Sequence, residues 1–228
     1  MVAKAKDKAG RQTRRQQRGA ETRDKILEAT LELIAEEGVA AVTHRAVARR
    51  AGVQHSLTTY YFKDLLQLLS EAFEKFAARG RPELEQTWKR LFSYLDEFDR
   101  AELARPDVRL EVHGRLVDAA AAYVSAQLRK RKGGLAVEQS FMLYARRNKA
   151  LRPMADAHLA SLKAPITQLC SYFNEIDPEV DAELLLGALM RLEYEASSGL
   201  AGRDEAARRR LLARLLGWIL ALEETPRD

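Results

Sequence analysis

Residues 43–63 read Thr-His-Arg-Ala-Val-Ala-Arg-Arg-Ala-Gly-Val-Gln-His-Ser-Leu-Thr-Thr-Tyr-Tyr-Phe-Lys. Two short helical stretches flank Gly52, whose freedom at positive φ suits a tight corner between them. Thr43 is placed to cap the first, over about 44–51, with Val47, Ala48 and Ala51 facing inward, and Ala48 is small enough for close helix packing. The second, about 55–61, ends against Phe62 and carries hydroxyls and aromatics instead of an apolar face. Such a helix makes poor core and suits a sugar-phosphate backbone. In a helix–turn–helix the second helix enters the major groove of DNA.

Working outward, Thr22 is a plausible N-cap for a helix to about Glu37, with Asp24 in its first turn. Ile26, Ala29, Thr30, Leu33 and Ile34 form its core-facing stripe, and Gly38 ends it. Asp64 reads as the N-cap of a helix to about Arg79, with Leu65, Leu66, Leu68, Leu69, Phe73 and Phe76 as a broad apolar surface. Gly80-Arg81-Pro82 reads as a break and a domain boundary. Beyond it, helices are expected near 83–99, 107–131, 135–149, 153–174, 179–198 and 204–223. The expected organisation is a basic disordered arm over 1–19, a helix-turn-helix domain over 20–80, and a larger helical domain over 81–228. The fold class is all-α, in keeping with scarce Gly and Pro and abundant Ala, Leu, Arg and Glu.

The net charge of +5 is unevenly spread. Residues 1–19 hold seven basic side chains against Asp7, whereas residues 20–63 hold six basic and six acidic ones. The excess lies beside the helix–turn–helix, where it reaches phosphates, or else forms a solvated leader. The chain holds no apolar run long enough to span a bilayer and no signal-peptide core, so the expected location is the cytoplasm. The single cysteine, Cys170, excludes an internal disulfide and reads as a small core residue.

Enzyme chemistry has little to stand on. The histidines, at 44, 55, 113 and 158, have no metal-ligand spacing, so no metal or other cofactor is expected. Neither a phosphate-binding glycine loop nor a nucleophile elbow occurs, and no catalytic residues are assigned.

The pattern T-x-x-x-V-A-x-x-A-G-V-x-x-x-x-x-x-Y-Y-F-K within Thr22–Leu69 resembles the DNA-binding domain of TetR-family transcriptional regulators. The stretch 143–156, Leu-Tyr-Ala-Arg-Arg-Asn-Lys-Ala-Leu-Arg-Pro-Met-Ala-Asp, is similar to a segment of many of them. The resemblance implies a homodimeric repressor that binds a palindromic double-stranded DNA operator and is released by a small-molecule effector. An activator of the same fold and a non-specific DNA-binding protein remain as alternatives.

By position in the motif, the resemblance implies phosphate contacts from Thr43, which also suits a plain N-cap, from Tyr60, which equally suits the core, and from Tyr61 and Lys63. His55, Ser56, Leu57 and Thr59 fall on the exposed face of the recognition helix, and Arg45, Arg49 and Arg50 flank it as DNA-backbone contacts, Arg45 foremost, or else as solvated surface. Thr58 stands where the family often has a core leucine, and Leu65 and Leu66 where a lysine and an acid are common. In the second domain, Trp88, Phe92, His113, Phe141, Tyr144 and Arg147 are candidates for effector binding, each also compatible with ordinary core or surface. Their aromatic character points to a hydrophobic or aromatic effector. The helices near 153–174 and 179–198, with Leu184, Leu185, Ala188, Leu189 and Leu192, are the expected dimer interface, or else an intramolecular seam.

Overall fold

The computed structural model describes the backbone of residues 2–130, 132–197 and 204–222, and the side chains of 16–127, 133–195 and 204–222. The described residues are helical, joined by turns, with no strand among them. In chain order the helices are α1 (Val2–Glu37), α2 (His44–Ala51), α3 (His55–Tyr61), α4 (Leu65–Leu95), α5 (Arg100–Leu103), α6 (Pro106–Lys130), α7 (Lys132–Arg147), α8 (Arg152–Ser171), α9 (Pro178–Ser197) and α10 (Glu205–Ile219). A single 3₁₀ turn, Val39–Ala41, separates α1 from α2. None of the described helices is long and apolar enough to cross a membrane.

Two expectations at the N-terminal end are overturned. The helix does not start at Thr22, and residues 1–19 are not a disordered arm: the backbone of α1 is helical from Val2. The segment is rich in Ala, Lys, Arg and Gln, which are good helix formers, and it has no proline. Thr22 lies within the helix, its hydroxyl donating to the Arg18 carbonyl at 2.8 Å. Asp24 forms an ion pair with Lys75 instead of serving a first turn.

The expected break at Gly80-Arg81-Pro82 is also absent, since α4 runs through it. Pro82 removes one backbone donor, whose acceptor is the Ala78 carbonyl. Both residues are exposed, so water satisfies the freed oxygen and the helix continues.

The chain forms two compact units. Unit 1 comprises Met1–Arg79 with Ala136–Ala155, and unit 2 comprises Gly80–Leu135 with Asp156–Asp228. Residues 136–155 belong to unit 1 and not with the remainder of 81–228. Their reason is apolar. Val137, Phe141, Ala145, Leu151 and Ala155 are buried in one cluster with Ile26, Leu33, Ile34, Leu68, Leu69 and Phe73. Phe141 stacks face to face on Phe73, with ring centroids 3.8 Å apart and planes 7° from parallel.

Unit 2 has its own core, built from Leu95, Val112, Leu116, Val117, Ile166, Leu169, Cys170, Ala182, Leu185, Leu216, Ile219 and Leu220. Cys170 is fully buried there, and burial pushes its thiol up to about 12, as expected of an inert core cysteine.

Candidate nucleic-acid interface

The turn between α2 and α3 follows from three local features. The Thr43 hydroxyl accepts the Ala46 amide at 3.1 Å, which caps α2. Gly52 closes α2 at φ 66°, ψ 34°, a left-handed conformation costly for any residue with a Cβ. Val47, Ala48 and Phe62 are buried, so the corner is pinned at its entry and exit.

This packing decides which side of α3 faces water. Thr58 is fully buried, and its hydroxyl donates to the His55 carbonyl at 2.8 Å. A buried hydroxyl with its own partner is tolerated where an unpaired one is not. The helix therefore seats on a satisfied threonine where the family often has a leucine. His55, Ser56 and Thr59 are exposed, Leu57 is partly exposed, and Tyr60 is 78% exposed. Lys63, Thr43 and Arg45 are exposed beside them. Tyr61 is partly buried and meets Tyr60 edge-on, with ring centroids 5.0 Å apart. A Cβ placed on Gly19 of α1 would lie 3.3 Å from the Tyr61 hydroxyl, so α1 passes directly behind this end of α3.

The flanking arginines divide. Arg45 and Arg49 are exposed, whereas Arg50 reaches Glu36 at 2.7 Å, Glu32 at 3.6 Å and Glu37 at 3.7 Å on α1. Pairing with Glu36 raises the Arg50 pKa and lowers that of Glu36. Arg50 thus ties α2 to α1 instead of offering a free charge.

His44 opens α2 with its Nδ1 buried and without a hydrogen-bond partner among the described residues. Burial lowers its pKa, nearby His55 lowers it further, and Asp64 acts in the opposite sense.

Behind the corner, Asp64 accepts the Gln67 amide at 2.8 Å, while the Gln67 side chain accepts the Lys63 amide at 2.8 Å. This exchange starts α4 and holds the peptide that leaves α3. Sequence reading found the Asp64 cap but missed Gln67, Glu71 and Arg23. The only available signal was the helical spacing of Gln67 and Glu71.

Residues 26–72 match the family of bacterial regulatory proteins, tetR family. The match spans α2 and α3, with the C-terminal part of α1 before them and the start of α4 after them. No curated protein matches the chain. Among solved structures, a member of the TetR family from Streptomyces coelicolor A3 is 24% identical, covering 86% of this chain and 98% of that one, with a TM-score of 0.57. A TetR-like transcriptional regulator from Rhodococcus sp. RHA1 is 15% identical over 89% of this chain and 97% of that one, with a TM-score of 0.61. The multidrug binding protein EbrR, solved with ethidium, is 24% identical over 86% of this chain and 98% of that one, with a TM-score of 0.56. These likenesses are of fold, and they extend well beyond the tetR-family domain.

The effector candidates are divided between the two units. Phe141 and Tyr144 pack in the core of unit 1, and Arg147 is exposed on the same helix. Trp88 and Phe92 lie in unit 2, where Trp88 stacks on Phe92 at 5.6 Å and Phe92 on Tyr172 at 6.2 Å. His113 donates from Nε2 to the Ala213 carbonyl at 2.8 Å and joins α6 to α10. Unit 2 also has an open groove of about 570 Å³, lined by Gln86, Lys89, Arg90, Ser93, Tyr94, Glu97 and Arg115. Its lining is polar, and none of the six candidates belongs to it.

On α9 the expected leucine stripe splits. Leu185 and Leu192 are buried in unit 2, and Leu184 faces outward. The outward face instead carries Val180, Leu184, Gly187, Arg191 and Tyr194, at alternating spacings of four and three. No described group of three His, Cys, Asp or Glu residues is placed to hold a metal ion.

Proposed function

We propose that this chain is a ligand-responsive transcriptional repressor that binds a palindromic operator as a homodimer and is released by a small molecule. The single observation that carries the DNA-binding part is the division of α3. Thr58 is buried and holds the helix, while His55, Ser56, Thr59 and Tyr60 point away from the core. Ser56 and Thr59 suit base edges or phosphates, Leu57 a thymine methyl, and Tyr60, Lys63 and Thr43 the backbone. The basic stretch ahead of residue 20 extends the same positive charge along α1 and adds sequence-independent phosphate attraction.

The homodimer rests on α9. Val180, Leu184, Met190 and Tyr194 are 53%, 55%, 38% and 50% exposed along one helix. Four exposed apolar side chains on one helix, with Gly187 and Arg191 between them, suit a partner surface, and a two-fold axis pairs that surface with itself. The lone chain leaves α9 open, whereas two chains cover it with a bundle of α8 and α9 from each. The ethidium-bound EbrR has the same fold, which supports an aromatic effector in unit 2. Cytoplasmic location fits access to the operator.

The test is selection of bound duplexes from a random pool at about 0.15 M salt. Enrichment of one inverted repeat establishes a sequence-specific dimer and supplies the operator for effector screening. Binding without any enriched motif, fading smoothly as salt rises, would instead establish the non-specific alternative.

A further inference from the structure

The corner that follows the recognition helix is held by a relay that spans three helices. It starts at the Lys63 backbone amide, which donates to the Gln67 side-chain oxygen at 2.8 Å. The other end of that amide group donates to Glu71 Oε1 at 2.9 Å. The second carboxylate oxygen of Glu71, Oε2, forms an ion pair with Arg23 of α1. Arg23 in turn lies over the ring of Phe62, 5.2 Å from its centroid, and Phe62 is the buried residue that ends α3.

Each link removes a freedom. A glutamine amide free to rotate can present either its oxygen or its nitrogen to a neighbour. Glu71 accepts only, so it fixes the nitrogen toward itself and leaves the oxygen for Lys63. The same carboxylate holds the Arg23 guanidinium on the aromatic face of Phe62, a favourable arrangement for a cation. Glu71 is largely buried, with its side chain 21% exposed, so water competes weakly for either oxygen.

From this arrangement we infer that Glu71 is a positioning residue for DNA binding: it sets the peptide between α3 and α4, and with it Tyr60, Tyr61 and Lys63. The inference rests on the DNA-binding reading above. Glu71 acts through Gln67 and Arg23.

A control of the same kind exists nearby. Glu28 of α1 pairs with Lys75 at 2.7 Å and with Arg79, both on α4. It joins the same two helices as Arg23 and Glu71 but takes no part in the Lys63 corner. A purely structural α1–α4 tie would therefore behave alike in the two cases.

The experiment compares Glu71→Ala, Glu71→Gln and Glu28→Ala in the full chain. The first readout is hydrogen exchange of the Lys63 amide in the DNA-free protein. The second is affinity for the pool-selected duplex and for a scrambled one. Glu71→Ala is expected to speed Lys63 exchange about tenfold and weaken duplex binding about tenfold, without changing the preferred sequence. Glu71→Gln keeps an acceptor for Gln67 but loses the charge facing Arg23, so a smaller loss is expected; it serves if Glu71→Ala unfolds. Glu28→Ala is expected to lower thermal stability while leaving both readouts in place.

Unchanged Lys63 protection in Glu71→Ala and Glu71→Gln would overturn the relay. Faster exchange with undiminished affinity would overturn its role in binding, and so would an equal affinity loss in Glu28→Ala. Failure of the unaltered protein to prefer any duplex would sink the DNA reading, and the exchange data would still judge the relay by itself.

Discussion

Among the described residues, the exposed large apolar side chains of unit 1 are Tyr60, Leu66 and Leu143, one each on α3, α4 and α7; those of unit 2 include scattered Leu110, Ile176 and Trp218, but four, Val180, Leu184, Met190 and Tyr194, lie on α9. Scattered apolar residues are ordinary for a soluble surface. A row of them is not. Unit 1 closes its core with Phe62, Phe73, Phe76 and Phe141 and links its helices through Arg23–Glu71, Arg50–Glu36 and Lys75–Glu28. Its open face is polar and suits a polyanion. Unit 2 leaves Val180, Leu184, Met190 and Tyr194 of α9 open, and the proposed homodimer rests on them.

The largest expected effect tests the closure of unit 1. Phe141→Ala removes one ring of a face-to-face stack and opens a cavity beside Phe73, at a cost of about 3–5 kcal/mol. Urea unfolding followed through the transition of unit 1 measures it. A cost below about 1 kcal/mol would mean that residues 136–155 are a loose cover and not part of this core.

Next comes the bare face of unit 2. Leu184→Glu is expected to weaken self-association at least about a hundredfold, because each two-fold interface loses two leucines worth about 1.5–3 kcal/mol apiece. Sedimentation equilibrium reads it. Leu66→Glu, on the scattered surface of unit 1, should leave the mass unchanged. Equal behaviour of the two variants would erase the contrast between the units.

A smaller effect belongs to the corner itself. Thr43→Ala deletes the cap of α2 and should cost about 1 kcal/mol, with Thr43→Ser restoring it. Should Thr43 also meet a phosphate, duplex affinity falls further than stability does, and the two measurements together separate cap from contact.

The most modest prediction concerns pH. His44 has its pKa lowered by burial and by His55, so the folded state favours the neutral ring. The unfolded chain takes up the proton first as pH falls below about 6.5, and unit 1 therefore loses stability from there downward. Thermal melts of the protein and of His44→Gln from pH 7.5 to 5.5 should converge as pH falls. Parallel curves would show that His44 has no part in the pH response.

The corner was readable because its signals are local. A cap, a left-handed glycine and the inward set Val47, Ala48 and Ala51 act within about ten residues, and α2 and α3 start and end where those signals stand. Two punctuation marks misled. Thr22 and Gly80-Arg81-Pro82 carry the residue types of helix ends, but neighbouring helix formers and an exposed proline let α1 and α4 continue. The effector candidates are divided between the two units, which aromatic content does not foretell. Aromatic content identifies side chains that will be covered, not what covers them, and Phe141 is covered by Phe73.

The sequence by itself determined an all-helical chain, the helix–turn–helix at residues 43–63, and the outward placing of His55, Ser56 and Thr59, with Leu57 expected beside them and found partly covered. Each of these depends on spacing along one helix or across one turn. Only the tertiary structure decided that residues 136–155 belong with unit 1, that His113 is spent on the Ala213 carbonyl, that α9 turns Leu184 out and Leu185 in, and that Glu71 links Arg23 to the Lys63 corner. Those outcomes pair residues distant in sequence. Pairing is chosen by which apolar faces and charges come within a few ångströms after the chain collapses, and no local pattern encodes that choice.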